Sequence, residues 1–205
     1  MIETLDRSKM FETLPVINWR PGMSSRPFME CNDDLELPTL LALIGLSQRR
    51  ETMIEFGVNS GRTARVILDH FQFLRYIGVD VLPGYQTISP VQRHEVPENA
   101  GEFVRGDLSF QLRLSRRGSL DLTCDDLPPA DVVFIDGDHS AEGVWNDSTL
   151  AYEIVRPGGL VIWHDYKQWH RPGVPCDVFT VLAELSERGH KISHVGDSWL
   201  AFERI

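Results

Sequence analysis

Thr52-Met53-Ile54-Glu55-Phe56-Gly57-Val58-Asn59-Ser60-Gly61 runs from an apolar stretch directly into a turn punctuated by two glycines. Immediately beyond it, Ala64, Ile67, Leu68 and Phe71 fall at i, i+3, i+4 and i+7, one stripe of a helix. The unit therefore reads strand, turn, helix. Gly57 permits a tight turn, and Gly61 lets a ligand come close to the backbone. The N–H groups that open the helix suit a carboxylate, with Asn59 or Ser60 expected as the cap. The spacing is Gly-x-x-x-Gly, not the Gly-x-Gly-x-x-Gly of dinucleotide enzymes. No Lys-Ser/Thr pair follows Gly61, which excludes a phosphate-cradling P-loop. By itself this spacing fits an ordinary turn equally well.

The same unit recurs along the chain. Short apolar runs at Tyr76-Ile77-Gly78-Val79-Asp80, Glu102-Phe103-Val104, Asp131-Val132-Val133-Phe134-Ile135 and Leu160-Val161-Ile162-Trp163 read as strands covered on both faces. Residues 141–155 and the stripe Val178, Val181, Leu182, Leu185 read as helices. Arg156-Pro157-Gly158-Gly159 stops the first, and Gly189 the second. Strand–helix alternation implies right-handed crossovers and a parallel sheet. Lys191 to Val195 and Ser198 to Glu203 are strand-like runs separated only by Gly196-Asp197, so they form an antiparallel hairpin. The expected fold is α/β, Rossmann-like and doubly wound: a mostly parallel seven-stranded sheet with a C-terminal antiparallel hairpin. Residues 1–36, with Pro15, Pro21, Gly22, Ser24, Ser25 and Pro27, read as an irregular arm before a domain at 37–205 whose first helix has Pro38 near its start.

A chain of 205 residues suits one core, and 42% apolar with 24% charged residues is ordinary for a globular protein. The formal net charge of -10 disfavours nucleic acid and anionic lipid as partners. Arg113, Arg116 and Arg117 form the densest basic cluster and read as a solvated helix face. Cys31, Cys124 and Cys176 fit reduced thiols rather than a disulfide framework or zinc knuckle. With no signal-peptide pattern at the start and no spanning apolar run, a cytoplasmic location is expected.

In doubly wound sheets, ligands bind beyond the carboxyl ends of the strands, where strand order reverses. Glu55 lies there, Asp80 ends the second strand, and Gly106-Asp107 follows the expected third. Any one of these acids fits a cap or a solvated loop. Three beside a glycine turn, with no cationic clamp, suit a positively charged nucleoside ligand without phosphates. An acid at the end of the second strand can accept both ribose hydroxyls.

From Thr52 to the C-terminus the chain resembles the class I S-adenosylmethionine-dependent methyltransferases. Phe134-Ile135-Asp136-Gly137-Asp138-His139-Ser140, Val144, Asp147, Pro157-Gly158-Gly159 and His164-Asp165 are similar to the bacterial group known as methyltransferase domain family 24. The resemblance implies that Glu55, Gly57 and Gly61, with Asn59 and Ser60 between the glycines, hold the methionine part of S-adenosylmethionine. It places Asp80 on the ribose and Gly106-Asp107 on the adenine edge, with Asp136 closing the cofactor site. Similar O-methyltransferases hold magnesium on acids at the positions of Asp136 and Asp165, which lowers the pKa of the acceptor oxygen.

This chain departs from that pattern twice. It reads His164-Asp165-Tyr166 where those relatives carry Asp-Asp or Asp-Asn. Asp136, His164 and Asp165 are then the candidate ligands, and an imidazole suits Mn, Fe or Zn better than Mg. His139 replaces the family's catalytic Lys, and three roles remain open for it: general base, metal ligand, or hydrogen-bond partner of Asp136. Trp19, Trp145, Trp163 and Trp169 suggest either an aromatic acceptor pocket or core. His170, Arg171 and Pro172 sit where acceptor contacts belong.

The expected activity is methyl transfer to an oxygen of a small molecule, assisted by Mg or Mn. A cofactor-binding protein of this fold without transfer activity is one alternative. A nicotinamide-dependent oxidoreductase is another, disfavoured by the glycine spacing and by the absence of Tyr-x-x-x-Lys. The arm either covers the acceptor pocket or mediates a homo-oligomer.

Overall fold

The computed structural model describes residues 1–13, 33–73, 75–85, 96–167 and 176–205. Eight strands form one sheet: β1 (Glu3–Leu5), β2 (Thr52–Phe56), β3 (Arg75–Val81), β4 (Phe110–Ser115), β5 (Ala130–Ile135), β6 (Val155–Trp163), β7 (Ser193–Val195) and β8 (Ala201–Arg204). Their order is β1-β7-β8-β6-β5-β2-β3-β4. β2 pairs in parallel with both β3 and β5, so the order reverses between β2 and β5. β8 runs antiparallel between β6 and β7, which gives the expected C-terminal hairpin.

The side-chain period of two divides the core between the two faces. Ile54, Phe56, Ile77, Val79, Val133, Ile135, Val161 and Trp163 point to one side. There they meet α4 (Ala141–Ile154) and α5 (Val178–Glu187), through Val144, Leu150, Ala151, Val181, Leu182 and Leu185. Met53, Tyr76, Val132, Phe134, Leu160 and Ile162 point to the other. α2 (Asp33–Gly45) and α3 (Arg62–His70) cover them with Leu41, Ile44, Ala64 and Ile67. Burial on both faces is why β2 and β5 are mainly apolar and why Val132–Ile135 and Leu160–Trp163 run without a polar residue.

Several expectations are corrected. The N-terminal arm is not irregular throughout: β1 pairs in parallel with β7, making eight strands rather than seven, and α1 (Arg7–Thr13) comes directly after it. α2 runs through the expected boundary at 36/37, and Pro38 lies inside that helix rather than at its start. Glu102–Val104 is a 3-10 turn, bracketed by Gly101 at φ 67 and Gly106 at φ 89. The strand expected there is β4 instead, an edge strand whose Phe110, Leu112 and Leu114 alternate with Gln111, Arg113 and Ser115. Arg113 is therefore a strand residue, and Arg117 pairs with Asp121 at 2.9 Å in the turn after it, so this cluster is not a helix face. β6 also absorbs the Arg156-Pro157-Gly158-Gly159 breaker. The register against β5 shifts between Ala130 and Val132 to accommodate it.

At the amino ends of the strands, buried Asp131 accepts the N–H groups of Glu51 and Thr52 at 2.8 and 2.9 Å and pairs with Arg156 at 2.9 Å. That end is braced. The opposite end carries the site.

Candidate active site

The glycine turn is stitched over the reversal point of the sheet. Gly57 donates its N–H to Val79 O at 2.9 Å, and Asp136 donates to Phe56 O at 2.9 Å. Gly57 has φ 89, and a Cβ there would lie 2.2 Å from the carbonyl oxygen of Asp136. Only glycine fits between the two strand ends. Gly61, also left-handed at φ 84, is the N-cap of α3 and supplies no side-chain cap. Neither Asn59 nor Ser60 takes the capping role expected of it; Asn59 Oδ1 instead accepts the Ser60 N–H at 2.6 Å. The N–H groups of the first helical turn thus keep their capacity for an anionic group.

Asp80 stands at the end of β3 against this turn. Its Oδ2 accepts the Asn59 N–H at 2.6 Å and its Oδ1 the Val81 N–H at 2.7 Å. Burial raises its pKa above the usual carboxylate value. Each carboxylate oxygen has a second lone pair, so the acid can hold the turn and still accept further donors.

Glu55 lies beneath the turn rather than on it. It is buried on the α2/α3 face, accepts the Tyr76 hydroxyl at 2.9 Å, and burial pushes its pKa up to about 8. Asp147, on α4 below Gly137, is likewise buried and pushed up to about 7. Both groups bind protons more tightly folded than unfolded. The stability this confers is complete below their unfolded values of 4.5 and 3.8, and is lost as pH rises through about 7 and 8. The urea midpoint should therefore fall between pH ~5.5 and ~8.5 by less in Glu55→Gln than in wild type. An equal fall in the two proteins would contradict the assignment.

Gly106-Asp107 does not reach this end. Asp107 precedes β4, and the register Tyr76↔Phe110 puts it at the amino end, away from Asp80↔Leu114. Its carboxylate is taken up by Ser109 N–H and Oγ at 3.0 and 2.6 Å and by Arg65 at 3.0 Å, which hold its pKa low. The expectation that Asp107 ends a strand fails because the strand begins only at Phe110, beyond it. The carboxyl end of β4 leads instead into the 3-10 turn Gly118–Asp121, with Gly118 at φ 62 against Val81. The strand alternation of Phe110 to Ser115, with Gly118-Ser119 after it, is the signal that marks this turn.

The ends of β5 and β6 bring the remaining groups together. His139 Nε2 lies 3.2 Å from Asp165 Oδ2 and 3.7 Å from Asp136 Oδ1. Asp136, His139 and Asp165 each offer one donor atom, all within 4.8 Å of one another. His164 Nδ1 is 3.1 Å from Asp136 Oδ1 and 3.6 Å from Asp165 Oδ2. His139 thus joins the two acids in a compact donor set, and His164 Nδ1 lies as close to the same two carboxylates. Burial opposes ionisation of both acids, yet the neighbouring His164 and His139 hold each below the usual range, Asp165 far below. Asp165 itself has φ 58, a left-handed conformation that Asp and Asn tolerate best among non-glycine residues. Two carboxylates and an imidazole this close match the donor chemistry of a divalent transition ion.

Three further residues contribute to this end of the sheet. Lys167 Nζ lies 2.8 Å from Asp165 Oδ1 and 3.8 Å over the Trp199 ring. Glu36, on α2, accepts the Trp199 N–H with both oxygens at 3.0 and 3.2 Å, and its Oε2 is 4.0 Å from His164 Nε2. Lys167 is legible as the second residue past Asp165; Glu36 and Trp199 carry no local signal. Trp163 is core, its indole N–H donated to Ser148 Oγ at 3.0 Å, and Trp145 packs under Arg188. Cys31, Trp19, Trp169, His170, Arg171 and Pro172 lie outside the described residues.

A parallel sheet reversing at β2/β5, a glycine turn there, an acid ending the next strand and a terminal antiparallel hairpin define a class I S-adenosylmethionine-dependent methyltransferase fold. The model of a methyltransferase domain family, family 24, matches residues 54–166, and the chain belongs to that family. "Uncharacterized protein R132" of Acanthamoeba polyphaga mimivirus is 28% identical over 138 residues, 65% of this chain; the chain spans 60% of that relative's length. Among solved structures, the O-methyltransferase NovP superposes with a TM-score of 0.59 at 18% identity, over 82% of this chain and 78% of its own. The calicheamicin methyltransferase CalS11 gives 0.56 at 14%, over 82% and 77%. At these identities the likeness is one of fold. No helix among the described residues is long and apolar enough to cross a membrane.

Proposed function

We propose that the protein transfers the methyl group of S-adenosylmethionine to an oxygen of a small molecule, with a divalent cation held by Asp136, His139 and Asp165. The observation that carries this reading is the convergence of those three groups beside the Gly57–Gly61 turn. The uncapped start of α3 suits the methionine carboxylate, and Asp80 suits the ribose hydroxyls. The sulfonium brings its own leaving group, so the protein has two tasks: aligning the attack and preparing the oxygen. A cation at the acid pair supplies charge that favours the ionised acceptor oxygen. In this reading His139 Nε2, 3.2 Å from Asp165 and 3.7 Å from Asp136, would serve as the nitrogen ligand beside the two carboxylates.

The test is incubation with methyl-labelled S-adenosylmethionine and a panel of phenolic, carboxylic and sugar-hydroxyl acceptors, with Mg²⁺ or Mn²⁺. Label appearing in an ether or ester, and depending on the cation, is the expected result. Tight cofactor binding with no label moved to any acceptor would favour a binding protein of this fold, consistent with His139 standing where the family has Lys.

A further inference from the structure

We propose that Lys167 is a built-in counter-ion of the acid pair, an ammonium that a divalent cation must displace from Asp165. The inference rests on the reading that Asp136, His139 and Asp165 take such a cation. Lys167 Nζ touches Asp165 Oδ1 at 2.8 Å, while Oδ2 of the same carboxylate faces His139 Nε2 at 3.2 Å. The ammonium thus already neutralises the carboxylate that the divalent ion would use.

The lysine's seat is constructed rather than incidental. Its ammonium lies 3.8 Å over the face of Trp199, a favourable cation–π position, and its side chain is only 15% exposed. Trp199 is itself fixed. Its N–H reaches both oxygens of Glu36, and its carbonyl accepts the Tyr166 N–H at 2.9 Å. A divalent ion on Asp165 would therefore meet a fixed positive charge on the same carboxylate, in a site largely withdrawn from solvent screening. Like charges at such range repel strongly when partly buried, and the weaker of two competing cations must leave. Lysine is suited to leaving, being a point charge on a flexible stem. The competition should lower divalent-ion affinity by about tenfold or more.

The experiment is Mn²⁺ titration of wild type, Lys167→Met and Lys167→Arg, followed by calorimetry and by the paramagnetic resonance signal of free Mn²⁺. Thermal midpoints are recorded with and without the ion. Methionine keeps the stem on Trp199 and removes the charge; arginine keeps the charge. Support is tighter binding in Lys167→Met by about tenfold or more, wild-type binding in Lys167→Arg, and a lower midpoint of Lys167→Met that Mn²⁺ restores. Equal affinity in wild type and Lys167→Met, or tightening in both variants, overturns the counter-ion and leaves the cation site standing. No Mn²⁺ binding by any of the three overturns both.

Discussion

Gly57→Ala should destabilise the protein by about 2–6 kcal/mol and abolish measurable cofactor binding, the strain of a left-handed alanine adding to a direct clash. The backbone at Gly57 sits at φ 89, and the new Cβ would lie 2.2 Å from Asp136 O, 2.5 Å from Asp136 C and 2.6 Å from Gly137 Cα. All three neighbours are backbone, so no side chain can rotate away. Relief requires parting the ends of β2 and β5, which the bond from Asp136 N–H to Phe56 O holds together. Gly158→Ala separates the two costs. Gly158 has φ 82 but nothing within 4 Å of its virtual Cβ, so it should cost only about 1–2 kcal/mol. Urea unfolding of both variants checks the contrast. Equal losses would mean that the close approach of the two strand ends does not matter.

Asp165→Asn should lower turnover by about a thousandfold while leaving S-adenosylmethionine affinity within a few-fold of wild type. Asparagine tolerates the left-handed backbone at φ 58, so the change removes charge with little added strain. Asp165 is the hub of the reaction end, with His139 at 3.2 Å, Lys167 at 2.8 Å and His164 at 3.6 Å. Removing its charge leaves two imidazoles and an ammonium around Asp136, and takes away a ligand oxygen that the proposed cation would use. The Gly57 turn and Asp80, where the proposal seats the nucleoside, are untouched. Rates with the acceptor found in the panel, set beside cofactor titration, separate the two effects. Turnover within tenfold of wild type would remove Asp165 from the chemistry.

Much of this arrangement is legible in the residues, for reasons that also explain what is not. β2, β3, β5 and β6 sit in the middle of the sheet, and burial on both faces writes itself as predominantly apolar sequence. α3 and α5 bury one stripe each, which the spacing of Ile67 and Leu182 with their neighbours reports. β4 is an edge strand with one flank in water, so Gln111 and Arg113 interrupt its pattern, and the apolar run at Glu102 to Val104 takes its place in a reading by periodicity. That displacement alone carries Asp107 to the wrong end of the sheet. β1 is only three residues long and gains its structure entirely from pairing with β7 at the far end of the chain. Glu36 meets Trp199 across a separation of 163 residues, which no local pattern encodes. The acids are legible because strand ends concentrate them. Which imidazole completes the cluster is not, because that depends on how the turns after β5 and β6 aim His139 and His164.

The most direct test of the central claim is calorimetric titration of S-adenosylmethionine and its demethylated product into wild type and Asp80→Ala. Micromolar binding by wild type, weakened at least about a hundredfold in Asp80→Ala, is the predicted result, because the carboxylate anchors the Asn59 turn and, in the proposed reading, accepts the ribose hydroxyls. Absence of binding by folded wild type at millimolar ligand, or equal affinity in the two proteins, would contradict it.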